Sequence, residues 1–260
     1  MIALPYPGND LVHGLWVGLG LLAALIWYGL EKRRLRLRDD RLWVLAGMAV
    51  AFGAIGARVL TWPQAGPSGY PSLAQWWVEG NRSILAGLVG AWFGVWLGKR
   101  LTGYRADTGE LFAPAVALAV AIGRVGCLLT ENPGTSTGGD WGMVLTPEQA
   151  LRLGGVADVG LHPSFAYEIA FHAVAFVVLW QVLRHRLQAP GETLVVYLAA
   201  YGVFRFFVEF VRGNDVAWAG LSRPQLFLAV TVPLLLLRVV LQWRRGVYQL
   251  APAPRETVAA

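Results

Sequence analysis

The chain is poor in charged residues, which make up 15% of its 260 positions, against roughly 25% in an ordinary soluble protein. Hydrophobic residues reach 56% and the mean hydropathy is +0.50, which is more apolar surface than a soluble chain of this length can bury. The single cysteine, Cys127, excludes a disulfide framework and a Cys-x-x-Cys metal or redox motif. The low content of charged residues and the high mean hydropathy together indicate a membrane protein.

Apolar runs close to the roughly 20 residues that span a bilayer as a helix recur along the chain. The predicted spans are 11–30, 42–61, 84–98, 111–129, 163–183, 194–211 and 225–243. The first span follows Asp10 without a basic leader or a small-residue cleavage motif, which favours a true span over a secretory signal. We therefore expect an all-α, polytopic membrane protein with about seven transmembrane helices.

Lysine and arginine are unevenly divided between the two sets of loops. Fourteen lie in segments 31–41, 99–110, 184–186 and 244–255, and four lie on the other side. Because cytoplasmic loops carry the excess of positive charge, we expect the N-terminus outside and the C-terminus in the cytoplasm. The same bias explains the net charge of +6 without nucleic acid as a partner.

The spans predict a single seven-helix transmembrane domain over residues 1–250, followed by a short cytoplasmic tail, 251–260. Two extracytoplasmic loops are long: 62–83, rich in Pro, Gly and Trp, and 130–162, rich in Gly and Thr. Small residues at every fourth position of the span 84–98 predict close helix packing.

Charges inside the spans point to a functional site, because an arginine near the bilayer centre costs about 2.5–3.5 kcal/mol. The arginines toward the outer halves of their spans are Arg58, Arg124 and Arg205. The last shares one helical face with Tyr201, Glu209 and Arg212, at spacings that bring side chains together. One interpretation is a structural Arg205–Glu209 pair. The other is a bound anion that the arginines share, for which a membrane supplies a lipid phosphate.

Other candidates lie close to these arginines in the sequence. Cys127 is interpreted as a small buried hydrophobe in preference to a nucleophile, and Glu131 as either a base or a solvated carboxylate. Glu168 falls about one turn inside its span and needs a partner. A carboxylate acting as a base near neutral pH would need its pKa raised by burial. The histidines are assigned to the core (His172) or the interface (His13 and His162, the second a further candidate base).

Five segments, in order along the chain, resemble motifs of the bacterial prolipoprotein diacylglyceryl transferases. They are GAIGARVL (53–60), EGNRSILAGLVGA (79–91), GRVG (123–126), HPSFAYE (162–168) and YGVFRFFVEFVR (201–212), followed by LSRPQ (221–225) where the family has a Ser-x-x-Gln turn. Leu85 stands at the place of the family's signature histidine, and Cys127 at that of an asparagine.

The resemblance implies an enzyme of the bacterial cytoplasmic (inner) membrane that moves diacylglyceryl from phosphatidylglycerol to the lipobox cysteine of a preprolipoprotein, releasing glycerol 1-phosphate. No metal or other cofactor is implied. The alternatives are a family member that binds anionic phospholipid but has lost transfer or uses another acceptor, and a small transporter or assembly factor.

The resemblance also assigns roles to individual residues. The implied catalytic residues are Arg124, Arg205, Glu209 and Glu131. The implied phospholipid site is made by Arg124, Arg205, Tyr201, Arg58 and Glu168. Fixed arginines suit this chemistry because charge builds on the phosphate oxygens as the phosphate leaves.

Overall fold

The computed structural model describes residues 1–59, 61, 72, 75–77, 82–184, 187 and 189–248. This part of the chain contains seven helices that are long and apolar enough to cross a membrane. They are α1 (Asp10–Arg34), α2 (Arg41–Val59), α3 (Ile84–Thr102), α4 (Gly109–Thr130), α6 (Ser164–Val178), α7 (Glu192–Val208) and α8 (Arg223–Arg244). A π-helical turn, Leu179–Leu183, extends α6, and a 3-10 turn, Glu209–Val211, extends α7. The predicted all-α fold with seven spans is confirmed.

The chain forms two compact units. One joins Met1–Arg34 to the chain from Asp107 onward, and the other is Leu35–Ala106. The predicted tail 251–260 and most of the predicted loop 62–83 lie outside the described residues. The predicted limits of a single domain therefore stay a prediction.

In the unit Leu35–Ala106, α2 and α3 pack against each other through small residues. A Cβ atom on Gly90 would lie 2.2 Å from the Phe52 carbonyl oxygen, and one on Gly94 would lie 2.3 Å from the Met48 carbonyl oxygen. Side chains at these two positions would push the backbones apart. The predicted close packing along this span is confirmed, and its partner is α2.

In the other unit, α4 is the most deeply buried of the spanning helices. It packs against α1 on one side and α6 on another, and α7 packs against α8. A Cβ atom on Gly20 of α1 would lie 2.6 Å from the Ala119 carbonyl oxygen of α4. This glycine therefore lets α1 lie directly against the helix that carries the segment GRVG (123–126).

The segment 130–162 folds into a small cap with the start of the chain. Strand β1 (Ile2–Ala3) pairs in parallel with β2 (Met143–Val144), and the short helix α5 (Pro147–Leu153) follows, with a capping box between Thr146 and Gln149. The buried core of this cap consists of Leu4, Met143, Leu145, Ala150 and Leu161. A second two-stranded ribbon, β3 (Val216–Trp218) with β4 (Leu221–Ser222), leads into α8. The cap and the ribbon order the chain that enters and leaves the spanning helices.

Candidate functional site

A buried carboxylate, Glu168 of α6, is the centre of the charged cluster. It is 0% exposed. Its Oε2 atom accepts from Arg124 Nε at 2.9 Å and from the Tyr201 hydroxyl at 3.3 Å, and it lies 2.8 Å from Arg124 Nη2. Its Oε1 atom lies 3.4 Å from Arg212 Nη1 and 3.7 Å from Arg205 Nε. Three arginines from α4, α7 and the turn after α7 thus share one carboxylate.

The segment HPSFAYE (162–168) positions this carboxylate. The Ser164 hydroxyl donates to the Pro133 carbonyl oxygen and its amide donates to the same oxygen at 3.2 Å, which anchors the first turn of α6. Phe165 lies under two of the guanidiniums, with its ring centroid 5.5 Å from Arg124 Cζ and 4.1 Å from Arg212 Cζ. The Phe165 ring therefore makes cation–π contacts with both arginines.

A second carboxylate, Glu209, holds Arg205 from the end of α7. The two form an i,i+4 ion pair, as the spacing predicts. Glu209 Oε1 also accepts from the Ser222 hydroxyl at 2.7 Å and from Asn214 Nδ2 at 2.6 Å. Ser222 is in turn fixed by a capping box with Gln225 at the start of α8. The Ser-x-x-Gln turn in the sequence is therefore a helix cap that orients the partner of Arg205.

The cluster balances its formal charges. The three guanidiniums of Arg124, Arg205 and Arg212 face the three carboxylates of Glu131, Glu168 and Glu209. Glu168 reaches all three arginines from α6, so they have a protein acceptor whether or not an anion binds. Even so, Arg205 Nε is buried and makes no hydrogen bond among the described residues. The Nε atom lies 3.7 Å from Glu168 Oε1, within reach of an ion pair but too far for a hydrogen bond.

The third carboxylate, Glu131, closes the cluster at the end of α4. Its Oε1 lies 3.2 Å from His13 Nδ1 and its Oε2 lies 3.7 Å from Arg212 Nη2, and the side chain is 40% exposed. Burial acts to raise the pKa of Glu131, but the His13 hydrogen bond and the Arg212 charge outweigh it and lower the pKa to about 2. The neighbours of Glu131 therefore favour its ionised form, whereas a base acting near neutral pH would need a raised pKa.

Cys127 is buried, as predicted, but it also has polar neighbours. Arg124 Nη1 lies 3.6 Å from its Sγ atom. The Cys127 sulfur, one ring nitrogen of His13 and one carboxylate oxygen of Glu131 all lie within 4.8 Å of one another. The sequence predicts His13 only as an interfacial residue, so this group of three possible metal ligands was missed.

The two other histidines near the site have structural partners. His172 is 0% exposed, with Nδ1 2.9 Å from the Tyr197 hydroxyl, so the predicted core position is confirmed. His162 Nδ1 lies 3.1 Å from the Tyr167 hydroxyl at the entry to α6. The tautomer of each ring decides which atom donates.

Two residues named from the sequence belong to the other unit, Leu35–Ala106. The guanidinium of Arg58 lies over the ring of Trp77, 5.4 Å from its centroid. Leu85 is buried in the first turn of α3, where the Ser83 side chain caps the helix by accepting from the Ala86 amide. A place for Arg58 at the phospholipid stays a prediction.

Comparison with known proteins gives one consistent family. The sequence profile described as prolipoprotein diacylglyceryl transferase matches residues 11–244. A phosphatidylglycerol–prolipoprotein diacylglyceryl transferase of Leifsonia xyli subsp. xyli is 33% identical, over 97% of this chain and 80% of the relative. Similarly named proteins of Streptomyces coelicolor and Ectopseudomonas mendocina are each 33% identical, over 82% and 86% of this chain and 72% and 90% of the relatives. The chain therefore belongs to the prolipoprotein diacylglyceryl transferase family.

Proposed function

We propose that this protein transfers the diacylglyceryl group of phosphatidylglycerol to the cysteine thiol of a lipobox-containing preprolipoprotein. The single observation that carries the proposal is the convergence of Arg124, Arg205 and Arg212 on one buried carboxylate, in a chain of this family. Arginines clustered within a membrane cost free energy of insertion, and they normally mark a functional site that binds a charged group.

In the reaction, the sulfur of the lipobox cysteine forms a bond to the carbon of the diacylglyceryl group that bears the phosphate. The carbon–oxygen bond between that carbon and the phosphate breaks. The electron pair of the broken bond stays on glycerol 1-phosphate, so negative charge grows on the phosphate oxygens. Arg205 offers a buried Nε donor without a hydrogen-bond partner, and the contacts of Arg212 to its two carboxylates are long, at 3.4 and 3.7 Å. We assign these two guanidiniums to the leaving phosphate.

The carboxylates have a positioning role in this proposal. The Oε2 atom of Glu168 contacts both Nε and Nη2 of Arg124. Glu209 forms an ion pair with Arg205. A guanidinium fixed before the substrate arrives loses little freedom when charge develops beside it. The Tyr201 hydroxyl donates to Glu168, so Tyr201 lies beside the same arginine cluster.

The thiol proton must leave during the reaction, and Glu131 is a poor acceptor because its pKa is about 2. The departing phosphate is itself a base, so we assign the thiol proton to that phosphate or to water. General-base catalysis typically contributes 10²–10⁴-fold. Transfer is therefore expected to be slow, since it depends on positioning and on stabilisation of the phosphate.

The proposed setting is the bacterial cytoplasmic membrane, with the N-terminus outside and the cluster toward the outer leaflet. The apolar helices support a multi-pass membrane protein, and the excess of Lys and Arg in segments such as 31–41 supports the orientation. Reporter fusions after Arg34 and after Gly138 are expected to report opposite compartments. The same compartment at both positions would contradict the orientation.

The test is a transfer assay with purified protein, labelled phosphatidylglycerol and a lipobox peptide. Arg205→Ala is expected to abolish label transfer. The matched control is Arg238→Ala, which removes an arginine paired with Glu192 of α7, away from the proposed phosphate contacts. Arg238→Ala is expected to retain transfer. Equal loss in both variants would mean that the arginines act only through stability.

A second candidate function is phospholipid binding without transfer, and the observation that favours it is Leu85 at the place of the family's signature histidine. In that case phosphatidylglycerol would bind and Arg205→Ala would weaken the binding, but no label would reach the peptide at any pH. Running both readouts on one preparation distinguishes this outcome from the proposed transfer.

A further inference from the structure

We propose that His13, Cys127 and Glu131 form a binding site for one divalent transition-metal ion of the zinc class. One donor atom from each side chain lies within 4.8 Å of the other two. The three residues bring a ring nitrogen, a sulfur and a carboxylate oxygen to the outer end of α4. This site does not depend on the transfer reaction proposed above, because it is defined by its own ligands.

The spacing of two of the donors already suits a bound ion. His13 Nδ1 and Glu131 Oε1 lie 3.2 Å apart. Two ligands that each lie about 2.0–2.1 Å from a tetrahedral zinc ion stand roughly 3.3–3.4 Å from each other. Cys127 and Glu131 are four residues apart at the end of one helix, so their side chains leave it on the same side. Small rotations of side chains would complete the geometry.

The backbone holds His13 beside this end of α4. A Cβ atom on Gly126 would lie 3.1 Å from the His13 carbonyl oxygen and 3.0 Å from Trp16 Cβ, so glycine allows the close approach. The chain before α1 is also tied to α4, since the Gly8 amide donates to the Thr130 carbonyl oxygen at 2.7 Å. The imidazole is therefore positioned by the fold and not by a mobile loop.

Two arginines are placed as outer-shell partners of the proposed ligands. Glu131 uses Oε1 toward His13 and Oε2 toward Arg212 Nη2, at 3.7 Å. Arg124 Nη1 donates toward the Cys127 sulfur at 3.6 Å. Outer-shell donors of this kind orient metal ligands and tune their affinity. A divalent ion with one thiolate, one carboxylate and a neutral imidazole has no net charge, so the neighbouring guanidiniums need not be displaced.

The donor set defines the class of ion. One thiolate, one imidazole and one carboxylate suit Zn²⁺ and Co²⁺ better than Mg²⁺ or Ca²⁺, which prefer oxygen ligands. Three protein ligands leave a fourth position for water or another small ligand. The Glu131 side chain is 40% exposed, so solvent reaches this end of the group.

The test uses tag-free, full-length protein in detergent, stripped of metal with a chelator and titrated with Co²⁺. Wild-type protein is expected to bind one Co²⁺ per chain and to show thiolate-to-cobalt charge-transfer absorption, which Zn²⁺ then removes by displacement. No uptake at millimolar Co²⁺, or uptake without that absorption, would overturn the proposal.

Variants identify the ligands. Cys127→Ser is expected to abolish the charge-transfer absorption, and Arg212→Gln to weaken Co²⁺ binding about 10–100-fold as an outer-shell change. Glu131→Gln, at a half-exposed position, is expected to weaken binding at least as much. The matched control is His162→Gln, which should bind like wild type. Binding that Cys127→Ser leaves unchanged, in protein of unaltered helix content, would show that the metal binds elsewhere.

Discussion

Arg124 of α4 and Glu168 of α6 are joined through two contacts to a single carboxylate oxygen, at 2.9 Å from Nε and 2.8 Å from Nη2. Both side chains are buried. The pair fixes α4 against α6 at the level of the arginine cluster. Its strength depends on both partners staying charged, because a buried ion without its partner is strongly destabilising.

Glu168→Gln should therefore lower stability sharply. The amide leaves the Arg124, Arg205 and Arg212 guanidiniums without their shared counter-ion, and breaking a buried pair typically costs about 3–5 kcal/mol. The free energy of unfolding in detergent, from a denaturant titration, measures the loss. Glu148→Gln, at an exposed position of α5, should change it by no more than about 0.5 kcal/mol. Equal effects of the two substitutions would contradict a buried ion pair.

Arg205→Lys should retain the fold but reduce transfer. Lysine keeps the positive charge and loses the planar fork that can contact Glu209, Glu168 and a phosphate together. We expect the rate to fall about 10²–10³-fold, the usual effect of removing one fixed donor from a developing negative charge. Arg238→Lys is the matched substitution and should transfer at the wild-type rate. An Arg205→Lys enzyme as fast as wild type would mean that charge alone is sufficient.

Gly20→Ala should loosen the packing of α1 on α4. The added methyl would lie 2.6 Å from the Ala119 carbonyl oxygen, a backbone atom that cannot turn aside. Overpacking of this kind typically costs about 1–3 kcal/mol. Gly18→Ala, two residues earlier with nothing within 4 Å of the new methyl, should be neutral or slightly stabilising. Thermal unfolding of the two variants side by side tests the contact, and a Gly20→Ala protein as stable as Gly18→Ala would refute it.

Glu131 should add stability in a defined pH window. Its folded pKa of about 2 lies below the ordinary value of 4.5, so the ionised carboxylate stabilises the fold above about pH 4.5. That contribution is lost as the pH falls toward 2. With a chelator present, Glu131→Gln should be less stable than wild type at pH 6, and the difference in melting temperature should shrink through this window. A difference that stays constant or grows on acidification would contradict the Arg212 and His13 contacts.

Local patterns predict most of the fold. The seven spans follow from runs of apolar residues, and their helices end within a few residues of the predicted limits. The Arg205–Glu209 pair follows from spacing within one helix. By contrast, no local sequence pattern predicts the π-helical turn at Leu179–Leu183.

Contacts between distant segments explain what the sequence cannot predict. The sequence indicates that Glu168 needs a partner but does not identify it, because the partners lie on other helices, and only packing makes Glu168 the counter-ion of the arginines. His13 and Glu131 meet because Gly126 lets α1 approach the end of α4. The sequence pattern at these two positions predicts only a histidine at the membrane interface and a carboxylate at the end of a span.

The central claim is that the arginine cluster supports the departure of phosphate from phosphatidylglycerol as the lipobox thiol takes the diacylglyceryl group. Mass spectrometry of a lipobox peptide, incubated with the protein and phosphatidylglycerol of one acyl composition, measures it most directly. We predict a diacylglyceryl adduct on the cysteine and one glycerol phosphate released per adduct, with neither formed by Arg205→Ala. Folded wild-type protein that binds phosphatidylglycerol and yields neither product would contradict the account.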